Sequence, residues 1–291
     1  MTKTIPSLLA AALSSAFLLG AFSPAEAGQA SFVVDAQSGQ VLEASNQDEL
    51  NYPASLTKMM TLYLAFEALH EGRMTWDQKL TMSENAEGKE PFKLAIGAGR
   101  KVTLREAVES IVVLSANDSA VAIAEQLGGS EEVFAKAMTD KAHQLGMKDT
   151  VFKNPSGLPD PEQVTTARDM ATLGVSLMRD FPEEFKLFSM RGFQFRGMKL
   201  RGHNNLMYRY DGVDGIKTGY TDASGYNVVT SALKDGRRVV GVVMGEKTAS
   251  IRDDKMAGLL DSYLPSSSAA TASATAGGQP GATMTDTQPT K

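Results

Sequence analysis

Hydrophobic and polar positions change rhythm along this chain, and the changes mark its elements. SFVVDA (Ser31–Ala36) and QVLEA (Gln40–Ala44) are short apolar runs on either side of Ser38-Gly39, a pattern that predicts a β-hairpin. After Ser55, the residues Met59, Leu62, Tyr63, Phe66 and Leu69 recur at mostly three and four positions. That is the period of one helix face, with Gly72 as its expected stop. Residues 74–102 are mixed and turn-rich. Leu104 to Leu114 is helical in pattern, and Asp118 is expected to cap a second helix, SAVAIAEQL, closed by Gly128-Gly129. Ser130 with Glu131 and Glu132 opens another helix that Gly146 ends, and Thr166 to Asp169 resembles a capping box before ATLGVSLMRDF.

The last third turns to strand-like runs. YNVVTSAL and RRVVGVVMG meet at Asp235-Gly236, a strong hairpin signal, and Asp214 to Tyr220 reads as a third strand just ahead of them. A helix around Arg252–Tyr263 follows. Strands, then helices, then strands and a helix predict an α+β fold with a central antiparallel sheet flanked by helices, rather than a doubly wound parallel sheet. No internal repeat is present.

The two ends differ from this pattern. Lys3, the apolar run from Leu8 to Phe22 and Ala25-Glu26-Ala27 read as a secretory signal over residues 1–27. Residues 28–264 are then expected to form the folded domain. From Pro265 to Lys291 the text is rich in Ser, Ala, Thr, Gly and Pro, with Met284 as its one large apolar residue. Such a segment buries too little surface to offset its ordering entropy, and reads as a disordered tail that could serve to bind a protein partner. The chain has no cysteine, so neither a disulfide nor a thiol nucleophile is available. Its net charge of -5 argues against nucleic acid or an anionic membrane as partner. His70, His143 and His203 are scattered and suggest no metal cluster.

Three short pieces carry candidate chemistry: Ser55-Leu-Thr-Lys58, Ser115-Ala-Asn117 and Lys217-Thr-Gly219. Ser55 and Lys58, three apart at a helix start, project from one face within hydrogen-bonding reach. The free N–H groups of that helix end favour an oxyanion beside the serine. Lys58 can act as a base only when neutral. Moving a lysine from ~10.4 to the ~7–8 of a working base takes roughly 3 units, about 4 kcal/mol. Burial and a second cation supply such a shift, and Lys217 is the candidate cation. Gly219, lacking a side chain, would let an extended substrate approach the sheet edge, where Lys217 and Thr218 meet its terminal carboxylate. Each piece alone is as well explained by a helix cap, a turn or a strand end. All three in this order match the S-x-x-K, S-x-N and K-T-G set of penicillin-binding proteins and serine β-lactamases.

Longer stretches extend the likeness. "SFVVDAQSGQVL", "PASLTKMMTLYLAFEAL", "SANDSAVAIAE", "TTARDMATLG" and "VDGIKTGYTDASGYNVVTSA" make the chain, from about Ala30 to Leu264, resemble the low-molecular-mass penicillin-binding proteins, serine-type D-alanyl-D-alanine carboxypeptidases. The resemblance implies a central antiparallel sheet covered by helices, a helical lobe, and a site between them. It implies that Ser55 is the acylated nucleophile, Lys58 its base, Ser115 a proton relay and Asn117 a substrate-positioning group. Lys217 and Thr218 would hold the carboxylate, with help from Arg252. Backbone N–H groups of Ser55 and Tyr220 would form the oxyanion hole beside Gly219. Substrates would be peptidoglycan stem peptides ending in D-Ala-D-Ala, and β-lactam antibiotics would inhibit. No metal or organic cofactor is implied.

The sequence departs from the family in three respects. Tyr220 stands where members often have histidine, and neither a β-rich second domain nor a C-terminal amphipathic anchor is visible after Leu264. The protein is therefore expected to be free in the periplasm or held only by partners. Three rivals remain at this point. A D,D-endopeptidase shares every motif. A class A β-lactamase needs a deacylating glutamate in a Glu-x-x-Leu-Asn loop, and NPSGLPDPEQVTTARD offers only Glu162 without that pattern. A non-catalytic peptidoglycan-sensing protein has no need of intact motifs.

Overall fold

A computed structural model describes residues 28–265, so the predicted leader and nearly all of the predicted tail lie outside the described residues. The first hairpin is β1 (Ala30–Asp35) and β2 (Val41–Ser45), with Gly39 at φ 73° in its turn. A 3₁₀ turn, Ala54–Thr57, leads directly into α1 (Lys58–His70). Next come β3 (Lys79–Thr81), α2 (Glu84–Glu87), β4 (Lys101–Thr103), α3 (Leu104–Leu114), α4 (Asn117–Gly128) and α5 (Glu131–Gln144). After a long connection follow α6 (Ala167–Asp180), α7 (Pro182–Phe185) and a small hairpin, β5 (Gly192–Phe195) and β6 (Met198–Arg201), which the sequence pattern did not reveal. The chain closes with α8 (Leu206–Arg209), β7 (Val213–Thr221), β8 (Gly225–Lys234), β9 (Arg237–Glu246) and α9 (Ala249–Tyr263).

The main sheet has five antiparallel strands in the order β2-β1-β9-β8-β7, so β7 is an edge. Asp235 and Gly236 take φ of 48° and 78° and make the tight β8–β9 turn, as that dipeptide predicts. Val239 and Val243 face the cluster built with Met256 and Leu260 of α9, while Val240, Val242 and Met244 face the larger core on the other side. Burial on both faces explains why these strands read as continuous apolar runs rather than as an alternation. Gly174 lets α6 lie close on that second face: a Cβ there would come within 3.2 Å of Ile216 and Val240 side chains.

Several local expectations need correction. Helix α1 is not one-faced. Lys58 to Phe66 are all buried, because α1 runs through the molecule between α4, α5 and α6. Asp118 does not cap α4; it sits in the first turn, and its carboxylate accepts hydrogen bonds from the N–H groups of Leu94, Ala95 and Ser119. Thr166 caps α6, but Asp169 does not complete the box. Its carboxylate is taken by Asp149 N–H and the Thr150 hydroxyl. The final helix begins at Ala249, capped by Thr248, slightly earlier than expected.

Candidate active site

The 3₁₀ turn that carries Ser55 is held in a conformation the chain would not choose alone. Ala54 has φ 48°, a left-handed value costly for a residue with a Cβ. Two glycines press on this turn. A Cβ on Gly157 would lie 1.9 Å from Ala54 O, and one on Gly219 would lie 3.1 Å from both Pro53 O and Ser55 N. Gly219 therefore eases the close packing of β7 against the nucleophile turn, whereas the sequence had suggested only room for a substrate. Gly157, at φ 81°, could be seen in the sequence as a turn glycine but not as half of this clamp.

Ser55 follows within the 3₁₀ turn, and Lys58 is the first residue of α1. The Ser55 Oγ and Lys58 Nζ atoms are 2.9 Å apart, and Lys58 Nζ also donates to Ser156 O. The lysine is completely buried. Burial holds its pKa well below the ordinary lysine value, with the Lys217 charge adding to the effect and Asp118 opposing it. A neutral amine at this distance is within reach of the serine proton, the geometry that a nucleophile and its base require.

The opposite wall begins where α3 ends. Ser115 occupies the left-handed region at φ 63°, and its Oγ is shut from solvent with no hydrogen-bond partner among the described residues. Asn117 Nδ2 donates to Glu90 O at 2.8 Å and Pro91 O at 3.2 Å, fixing the 90–92 loop beside the cleft. Asp118, behind it, anchors the same loop through Leu94 and Ala95; burial pushes its carboxyl pKa up, against those N–H donors. On the sheet side, Lys217 is 3% exposed and donates to Thr218 O at 2.9 Å. Burial and the Arg252 charge push its pKa down to about 7. Arg252 is itself buried, with Nε and Nη2 on Asp253 Oδ1 and Nη1 on Asn227 O.

Between these walls runs a cleft of about 410 Å³. Ser55, Ser115, Asn117, Thr218, Gly219, Tyr220 and Arg252 line it, and Lys58 and Lys217 are buried beside it. All nine candidate residues thus come together. Tyr220 stands at the rim, 49% exposed, with its ring 4.2 Å from Tyr226 and its hydroxyl donating to Asp222. Phe92 and His203 stack at 4.4 Å and also line the cleft. Sequence reasoning missed them, along with the Ser156 carbonyl, because they sit outside the motifs. Glu162, the one acid weighed for a β-lactamase, is 73% exposed and pairs with Lys153 at 2.9 Å, away from the cleft lining.

The pattern of the S11 peptidases, described as D-alanyl-D-alanine carboxypeptidase, matches residues 20–248. The chain belongs to that family. Among curated relatives, the D-alanyl-D-alanine carboxypeptidase DacA of Haemophilus influenzae is 38% identical over 239 residues, 80% of this chain and 61% of the relative. DacF of Bacillus subtilis is 35% identical, over 81% of this chain and 62% of the relative. The chain thus spans about three fifths of the length of these S11 relatives. The crystal structure of penicillin binding protein 5 from Haemophilus influenzae superposes with a TM-score of 0.77 at 37% identity, covering 83% of this chain and 72% of that one. Penicillin-Binding Protein D2 from Listeria monocytogenes, solved with ampicillin bound, gives 0.73 at 32% identity, covering 80% and 95%. The fold is that of the penicillin-binding D,D-peptidases.

Proposed function

We propose that this protein is a serine D,D-carboxypeptidase. It removes the terminal D-alanine from peptidoglycan stem peptides through an acyl-enzyme on Ser55, and β-lactams acylate the same serine. The observation that carries the reading is the 2.9 Å contact between Ser55 Oγ and a lysine amine whose burial disfavours its charge, beside a cleft that Thr218 and Arg252 line.

Substrate lies along the open edge of β7, with its terminal carboxylate at Lys217, Thr218 and Arg252. Ser55 Oγ attacks the carbonyl carbon between the two D-alanines while Lys58 takes its proton. The oxyanion forms between the N–H groups of Ser55 and Tyr220, a position supported by the Gly219 packing that brings β7 onto Ser55 N. Breakdown expels the D-alanine amine, which receives the proton held on Lys58 through Ser115 Oγ, a hydroxyl without a protein partner. Asn117 orients the acyl chain. Water then attacks the ester carbonyl, Lys58 takes its proton and returns it to Ser55, and the shortened peptide leaves.

Penicillin reaches the ester stage and stalls, because its ring amine stays covalently attached to the acyl group and keeps the place that departing D-alanine would leave to water. Export to the periplasm is supported by the signal-like N-terminus; among the described residues no helix is long and apolar enough to cross a membrane. The test is time-resolved release of free D-alanine from a peptide ending in D-alanyl-D-alanine. Steady release by the parent and none by Ser55→Ala is the expected result. Equal release by the two would overturn the scheme.

A further inference from the structure

A second, smaller void lies beside the cleft, bounded by Ile216 to Thr218 of β7, by Gly202 to Asn204, and by the end of α3. It leaves about 10 Å³ for the centre of a water-sized sphere, close to what one water molecule needs. Asn204 lines this void, and both its Oδ1 and Nδ2 are shut from solvent without a hydrogen-bond partner among the described residues. Leaving such groups unmet costs about 1–3 kcal/mol each, so a buried pair of this kind calls for an occupant. Lys217 lines the same void. Of the three N–H groups of its ammonium, one goes to Thr218 O, and no other described group accepts from it.

We propose that Asn204 holds one water molecule in this void and that the Lys217 ammonium donates to that water, which makes Asn204 a positioning residue for the cation. The water would accept from Lys217 and from Asn204 Nδ2 and donate to Asn204 Oδ1, within the two to four polar partners buried waters usually have. The charges around Lys217 make this support matter. Arg252 of α9 acts on it directly, Lys58 of α1 shares its field, His203 lies close enough to feel its charge, and Arg191 lines the void. Apart from Thr218 O, the oxygen of that water is what solvates the ammonium before an anion arrives. The functional consequence rests on the reading of Lys217 as the carboxylate-holding group; the water itself does not.

Two measurements test this. A high-resolution crystal structure of the ligand-free protein should show one ordered water within hydrogen-bonding distance of Asn204 and Lys217 Nζ. A dry void, or a water that misses Lys217, overturns the proposal. The acylation rate with a fluorescent penicillin, measured on both sides of pH 7, then reads the coupling. Asn204→Leu should move the alkaline limb toward acid by roughly one pH unit, about a tenfold loss of rate on that limb. Asn204→Asp should move it the other way, because a carboxylate favours the ammonium. Equal shifts, or none, in variants whose circular dichroism matches the parent would contradict the coupling. Should Asn204→Leu not fold, the water peak and the Asp variant still decide. A parent that is never acylated would defeat the Ser55 reading instead, and would leave the crystal structure to judge the water.

Discussion

At the base of α1, the Lys58 nitrogen faces Ser55 Oγ and Ser156 O, with the Asp118 carboxylate near enough to oppose its neutralisation. At the sheet edge, Lys217 has one protein oxygen among the described residues, Thr218 O, and the Arg252 cation beside it. Both lysines are buried, and burial is the largest influence on each. One is held by fixed hydrogen bonds, in line with an amine that must pass a proton over one short distance. The other is thinly held, in line with a cation whose best partner is an anion it has yet to meet. Desolvation alone therefore does not define a lysine's role; the number and fixity of the oxygens around it do.

Exchanging the charge chemistry of the two positions gives the largest expected effect. Arginine stays protonated in any protein environment and cannot serve as a base. Lys58→Arg should lower the rate of Ser55 acylation by about 10³-fold, within the range that general-base catalysis supplies. Lys217→Arg keeps a positive fork for a carboxylate and should lose no more than about tenfold. Stopped-flow acylation by penicillin measures both. Similar losses at the two sites would erase the distinction.

Removing the thinly held cation should stabilise the fold. Burial and the Arg252 charge push the Lys217 pKa down to about 7 in the folded protein, against ~10.4 when unfolded, so between those values the unfolded chain binds more protons and stability rises with pH. Below pH 7 the folded state carries the full cost of burying the charge. Lys217→Met, similar in length and uncharged, should gain about 1–3 kcal/mol at pH 6, the scale seen when buried charges are replaced by apolar groups. The gain should shrink as pH rises above 7. Urea titrations at pH 6 and pH 9 provide the measurement, and a gain that grows with pH would contradict the sign.

The clamp on the nucleophile turn shows how far the sequence could be read. The motifs supplied seven of the nine residues gathered around the cleft, because each motif encodes a local geometry: a serine and lysine three apart, a serine at a helix end, a glycine in a strand; Tyr220 and Arg252 came from the family resemblance. The β8–β9 hairpin was equally legible in the continuous apolar runs around Asp235-Gly236, whereas the strand order β2-β1-β9-β8-β7 was not. What escaped were contacts between distant segments. Nothing in NPSG says that Gly157 meets Ala54 O, and nothing in SAND says that Asp118 anchors Leu94 and Ala95. The β5–β6 hairpin escaped because Gly197 and its charged neighbours break the apolar alternation. The clamp makes its own prediction. Gly157→Ala drives a methyl into a backbone carbonyl at a left-handed φ and should cost about 2–3 kcal/mol, whereas Gly219→Ala, at 3.1 Å, should cost about 1 kcal/mol. Thermal or urea unfolding of the two variants ranks them, and the reverse order would show that the turn yields more easily than β7.

The smallest effect is the pH dependence of the parent, and it bears on both lysines at once. In the proposed scheme acylation needs Lys58 neutral, so the rate should rise with pH through an acid limb set by Lys58, whose pKa burial and the Lys217 charge hold well below the ordinary lysine value. The same scheme needs Lys217 charged to hold a carboxylate, so the rate should fall as pH rises through about 7, by at most tenfold per unit. Because each ammonium disfavours the other, the two limbs describe the pair rather than separate residues. A ligand that brings its own carboxylate changes only one side. Bound anion favours the Lys217 ammonium, so saturation with substrate should carry the alkaline limb upward in kcat relative to kcat/KM. The Lys58 limb lies next to no new anion of comparable reach and should move less. A profile in which both limbs travel together on saturation would mean that the two amines share one hydrogen-bonded environment, and the contrast between the base of α1 and the sheet edge would fall.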